Sequence, residues 1–121
     1  MKDAGILSKE LMQNILMNLG FTETEAHIYL YLMKEGGQKA RDIGQALNLY
    51  KQQLYRSLRK MQSKGIIKAS GYPAHFSAVP FEKVVDLSIR ANIEKAEYVI
   101  QKREELLSGW RSIIRKEFSD S

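Results

Sequence analysis

Ile93, Ile100, Leu107 and Ile114 stand seven residues apart without exception. That spacing constrains the fold more than any other feature of the chain. An apolar residue every seven positions is the mark of a helix with one seam to cover. Val85 keeps close to the same row, and Ile89, Ala96 and Trp110 fall at the companion positions. Val99, Leu106 and Ile113 make a third row beside the first, and Arg103 interrupts the companion row. No proline occurs after Pro80. Gly109, the one glycine in the stretch, should cost about 1 kcal/mol relative to alanine and is a candidate bend. The spacing thus predicts a single long helix over 81–118. Its stripe is longer than a core built from the rest of the chain can cover. The expected cover is a partner helix, most simply from a second copy of the chain. The expected seam is Ile89, Ile93, Ala96, Val99, Ile100, Leu107, Trp110 and Ile114, with aromatic packing from Tyr98 and Phe118.

The preceding residues are punctuated quite differently. Residues 1–7 carry no helix signal. Ser8 can cap a first helix through about Asn18, which Gly20 ends. Thr22 with Glu25 three residues on fits a capping box, opening a second helix to about Glu35 that Gly36 and Gly37 stop. Ala40, Ile43, Ala46 and Leu47 mark a short third helix. Asn48 comes next at a turn position, where its short side chain tolerates positive φ. A fourth helix runs from about Lys51 to Lys64 and closes on Gly65, with Leu54, Leu58 and Met61 inward and Tyr55 beside them. Met12, Met17, Met33 and Met61 are expected in the core. Residues 66–70 and 75–79 read as two strands around the turn Gly71-Tyr72-Pro73-Ala74. Pro80 breaks the second strand and suits the first turn of the long helix.

Charge is concentrated in one place. Residues 38–68 hold eight basic side chains and a single acid, Asp42, for a net +7. The rest of the chain sums to −2, so about a quarter of the sequence supplies the whole basic excess. Such asymmetry points to a polyanionic partner. The order helix, helix, helix, turn, helix, ribbon, long helix is a winged helix-turn-helix. In such a fold the second helix of the pair enters a DNA major groove. With Leu54, Leu58 and Met61 inward, the fourth helix turns its polar side out. Tyr50, Gln52, Gln53 and Arg56 are the candidates to read base edges. Arg41, Lys51, Arg59, Lys60 and Lys64 are the candidates to neutralise phosphates. Lys68, Tyr72 and His75 belong to the wing. A membrane-surface helix is disfavoured, because the apolar side is needed by the first three helices.

The segment NLYKQQLYRSLRKMQSKGIIKAS, preceded by GFTETEAHIYLYLMKEG, resembles the winged-helix domain of archaeal TrmB-type transcriptional regulators. More broadly it is similar to MarR- and ArsR-like winged helices. The matching pieces are Leu19-Gly20, Thr22-Glu23, Glu25-Ala26, Tyr29-Leu30, Tyr55-Arg56-Ser57-Leu58, Met61, Lys64-Gly65-Ile66 and Val79-Pro80. They span about residues 11–90. Three features depart from the family pattern. The turn at residues 71–75 has no fixed charge where the family's wing is rich in arginine. Asn48 stands where a glycine is common. The sequence stops after the long helix, where these regulators usually continue into a sugar-binding domain, so the resemblance does not extend to sugar sensing.

Much else is excluded. The chain has no cysteine, hence no disulfide, thiolate metal site or cysteine nucleophile. His27 and His75 are the only histidines and lack metal-ligand spacing. Glu94 and Glu97 are a solvated pair one helical turn apart. No phosphate-binding loop, dinucleotide motif or nucleophile–histidine pattern is present. No cofactor and no enzymatic activity are expected. No signal peptide or membrane span is evident, so a cytoplasmic protein is expected. The sequence therefore predicts a mainly α chain: a winged helix-turn-helix over 1–80 with a two-stranded β wing, and a dimerising coiled-coil helix over 81–118. Its expected partners are double-stranded DNA and itself, as a sequence-specific transcriptional regulator. Two other classes remain open: a protein–protein winged helix, and a nucleoid-type architectural DNA binder of low sequence choice.

Overall fold

The computed structural model describes residues 8–118. The expectations for residues 1–7 and for the side chain of Phe118 lie outside the described residues. Six helices and a hairpin are arranged in the order α1 (Lys9–Asn18), α2 (Glu23–Glu35), α3 (Ala40–Leu47), α4 (Lys51–Lys64), β1 (Ile67–Ser70), β2 (His75–Ala78), α5 (Phe81–Gln101) and α6 (Arg103–Phe118). The chain divides into two units, 1–88 and 89–121, so the boundary falls inside α5.

Local chemistry sets the ends of these elements. Ser8 Oγ accepts the Leu11 N–H at 3.1 Å and starts α1. At α2 the capping box is complete. Thr22 Oγ1 accepts the Glu25 N–H at 3.1 Å, and Glu25 Oε1 accepts the Thr22 N–H at 3.0 Å. Asn48 ends α3 in the left-handed region at φ 56°, and Gly65 ends α4 at φ 77°. Asparagine and glycine are the residues that reach this region at least cost.

Leu16, Ile28, Tyr29, Leu32, Ile43, Leu58, Met61 and Val84 are almost fully buried in one core, which Phe21, Leu54, Ile66, Ile67, Phe76 and Val79 complete. Each large side chain so buried contributes roughly 1.5–3 kcal/mol. The hairpin pairs antiparallel in the register Ile67↔Ala78 to Ser70↔His75. That register drops Ile67 and Phe76 into the core. The outer edge of β2 is not open: Gln38 and Phe76 exchange backbone hydrogen bonds at 2.9 and 2.8 Å.

Tyr29 links the helices to the wing. Its ring meets that of Phe21 edge-to-face, with centroids 5.5 Å apart, and its hydroxyl donates to the Val79 carbonyl. Burial pushes the Tyr29 hydroxyl up from 10.0 to about 12. The folded state then keeps a proton that the unfolded chain releases. This contribution to stability is whole below pH 10 and is lost as pH rises through about 12. Tyr29→Phe should cost about 1–3 kcal/mol at neutral pH by leaving the Val79 carbonyl unpaired. Its deficit relative to wild type should shrink above pH 10. Urea denaturation at neutral and alkaline pH measures both.

Two expectations need correction. The helix over 81–118 is not continuous, because Lys102 separates α5 from α6. Backbone bonding passes through the break: the Lys102 N–H reaches the Tyr98 carbonyl at 3.0 Å, and the Leu106 N–H reaches the Lys102 carbonyl at 2.8 Å. Neither proline nor glycine lies there. The interruption falls beside Arg103, the residue that brings no apolar side chain to the companion row. Gly109 does not interrupt α6, which runs through it. Met17 and Met33 are not core filler. They are 44% and 49% exposed, while Met12 is half-buried and Met61 fully buried. Helical spacing placed them near the stripes, but neighbouring Leu16 and Leu32 take the inward positions.

Candidate nucleic-acid interface

The helix-turn-helix is α3, the Asn48 turn and α4. The turn closes with the Leu49 N–H on the Gly44 carbonyl at 2.9 Å. Gly44 lies inside α3, where glycine ordinarily weakens a helix. Its reason is proximity: a Cβ there would sit 3.1 Å from Leu54 Cδ2. The glycine spares the Leu54 methyl a shift of a few tenths of an ångström where α3 meets α4.

On α4, Leu54, Ser57, Leu58 and Met61 are buried. Lys51, Gln52, Tyr55, Arg56, Arg59 and Lys60 are exposed, and the helix contains no acidic residue. Lys51, Gln52, Tyr55, Arg56 and Arg59 line one shallow concavity. A second one, lined by Arg41, Gly44, Gln45, Asn48, Leu49, Lys51, Leu54 and Tyr55, shares two residues with the first. The structure thus brings Arg41 of α3 to the cationic face of α4. Tyr50, at the start of α4, is 84% exposed and supplies no side-chain cap, as is true of Lys39 before α3. Both helices of the pair therefore begin with backbone N–H groups that no capping side chain takes up, whereas α1 and α2 have capping oxygens.

Two expected contact residues also bond within the chain. Gln53 is half-buried, and its Nε2 donates to Thr24 Oγ1 at 3.1 Å. Lys64 Nζ pairs with Glu25 Oε1 at 2.7 Å. In the wing, Lys68 is exposed on β1, Tyr72 stands fully in solvent, and His75 Nδ1 lies 3.1 Å from the Pro73 carbonyl. Neither Gln45 nor Asn48 was expected from sequence among the site residues. Gln45 stands four positions after Arg41 on an exposed face, a spacing that could have drawn attention to it.

On the C-terminal helices, Ile89, Ile93, Val99, Ile100 and Trp110 are between 48% and 70% exposed, Ala96 is exposed, and Leu107 and Ile114 are half-buried. Among the described residues no cluster of three or more potential metal ligands occurs, and no helix is long and apolar enough to cross a membrane.

The arrangement is similar to known structures. The archaeal chromatin protein TrmBL2 superposes with a TM-score of 0.70 at 16% identity over 91% of this chain. This chain covers 43% of TrmBL2, less than half its length. The transcriptional regulator Tm0710 from Thermotoga maritima gives 0.56 at 16% identity, covering 99% of this chain and 94% of that one. A MarR family protein from Bacillus stearothermophilus gives 0.53 at 15%, covering 93% and 83%. At these identities the likeness establishes the winged-helix fold. No curated protein matches the sequence. The family described as sugar-specific transcriptional regulator TrmB matches residues 16–82, more than half of the chain, from late α1 through the wing to the start of α5. By that match the chain belongs to the TrmB family of transcriptional regulators.

Proposed function

We propose that the chain is a homodimeric regulator of transcription that binds double-stranded DNA with sequence preference, through the outer face of α4. The observation that carries this reading is that face: Lys51, Gln52, Arg56, Arg59 and Lys60 are all exposed on a helix without an acid, over an apolar side that is already buried. Gln52 and Arg56 carry donor patterns suited to adenine and guanine edges. Arg41, Lys51, Arg59 and Lys60 supply charge for phosphates, and the uncapped first turns of α3 and α4 offer backbone donors beside them. Tyr50 at the start of α4, and Lys68, Tyr72 and His75 of the wing, are the further contacts in this reading. The proposed division is a DNA-binding domain over 1–80 and a dimerising region over 81–118.

The dimer reading rests on the apolar stripe of α5 and α6. Ile89, Ile93, Val99, Ile100, Leu106, Trp110 and Ile113 are about half exposed or more. Their heptad spacing is that of a helix pair. Two recognition helices related by a twofold axis would meet successive major grooves about 34 Å apart. Ile100→Glu should convert the dimer to a monomer on a sizing column while leaving the far-ultraviolet spectrum of the winged helix unchanged.

Lys60→Ala should weaken binding to all duplexes alike and flatten the dependence of log affinity on log salt by about one unit per contact. An anisotropy titration at several salt concentrations reads this directly. Selection from a random duplex library at physiological salt, with sizing of the same sample, tests the whole proposal. A recovered pseudo-palindrome and a dimer support it.

A second reading is favoured by one observation. TrmBL2, whose fold this chain shares, is a chromatin protein. If the chain were likewise an architectural DNA binder, the library would return no consensus despite salt-sensitive binding. The turn at residues 71–75, without fixed charge, fits either reading.

A further inference from the structure

Two side-chain bonds tie α4 to the start of α2. Gln53 Nε2 donates to Thr24 Oγ1 at 3.1 Å, and Lys64 Nζ donates to Glu25 Oε1 at 2.7 Å and to the Gly20 carbonyl at 3.4 Å. Gln53 and Lys64 are eleven residues apart, about three helical turns, so they leave α4 from the same side. Their partners, Thr24 and Glu25, are neighbours in one turn. That turn is itself fixed by the capping box between Thr22 and Glu25.

Glu25 decides what Lys64 can do. Its side chain is 1% exposed, and Oε2 is buried without a hydrogen-bond partner among the described residues. Lys64 is the cation paired with this carboxylate. Swinging Lys64 out to a phosphate would abandon a buried charge, which is strongly unfavourable. Lys64 itself is exposed, and Gln53 is half-buried with its amide committed to Thr24, whereas Gln52 beside it stands free in solvent.

We propose that Gln53 and Lys64 are positioning residues, which seat the recognition helix on the first turn of α2 and do not touch DNA. This rests on the DNA-binding reading and assigns two of the polar groups of α4 a different task within it. One end of α4 is held through Gln53 and the other through Lys64, so the α2 turn sets the angle at which Lys51, Gln52 and Arg56 meet the groove.

The test compares Lys60→Met, Lys64→Met and the double variant Lys64→Met/Glu25→Gln with the wild-type chain. A glutamine at 25 keeps the capping box without the buried charge. Affinity for one mixed-sequence duplex is measured across a salt series, and amide hydrogen exchange of α4 is measured without DNA. Lys60→Met should lower the salt slope by about 0.9. Lys64→Met should keep the wild-type slope while binding more weakly and exchanging faster in the last turn of α4. The double variant should recover both affinity and protection. For Gln53, the variants Gln53→Ala, Thr24→Val and their combination should weaken binding by the same factor. A slope loss in Lys64→Met equal to that of Lys60→Met overturns the assignment, as does unchanged exchange. Wild-type chain that ignores duplex DNA would sink the DNA-binding reading instead, and the exchange data would still judge the brace.

Discussion

Leu58→Ala is expected to lower the unfolding free energy by about 2–5 kcal/mol. Leu58 is 1% exposed at the centre of the buried side of α4. Truncation there removes apolar contact with the core and leaves a cavity that close packing cannot easily collapse. A domain of this size is stabilised by only about 5–15 kcal/mol, so the loss is a large fraction of the total. Arg59→Ala, one residue along, should change stability by no more than about 0.5 kcal/mol, because Arg59 is exposed and has no ion-pair partner among the described residues. The contrast reads the orientation of α4 directly. Urea denaturation should show a lower midpoint for Leu58→Ala at an unchanged slope. Equal effects at 58 and 59 would mean that the helix is rotated from the position described.

The second large effect concerns recognition. Arg56→Ala is expected to cost about 1–3 kcal/mol on the preferred duplex and to relax the choice of base at one position. Arg56 is exposed and borders the α4 concavity with Gln52 and Arg59. A guanidinium presents two parallel donors that match the O6 and N7 acceptors of guanine. Arg56→Lys should therefore recover charge but not selectivity. On random duplex the alanine variant should lose far less, since only the non-specific charge contact is missing. Competition titrations with preferred and random duplexes separate these outcomes. Equal loss on both would assign Arg56 to the phosphates.

The elements that could be read from sequence are those whose chemistry is local. Ser8, Thr22 with Glu25, Asn48 and Gly65 each act on backbone groups within a few residues. Their types and spacings therefore predicted the caps and turns found. The inward stripe Leu54, Leu58 and Met61 came from the 3.6-residue period. What escaped depends on distant partners. Nothing near Lys64 announces that Glu25, thirty-nine residues earlier, is buried beside it, and nothing near Gln53 points to Thr24. The exposure of Met17 and Met33 turns on which neighbour takes the inward position, a matter of tertiary packing. The break at Lys102 carries no proline or glycine to betray it. For Gly44 the sequence shows only a helix-weakening residue. The Leu54 methyl close to it is visible only in the fold.

The central claim is that the outer face of α4 is where the chain meets duplex DNA. It is tested most directly by the salt dependence of affinity for one mixed-sequence duplex, comparing the chain with its Lys51→Gln/Arg59→Gln/Lys60→Gln variant. With three phosphate contacts removed per protomer, the slope of log affinity against log salt should fall by about 2.7 for one bound protomer and by about twice that for a dimer. The same slope in both proteins, or a wild-type chain whose affinity does not respond to salt, would contradict the account.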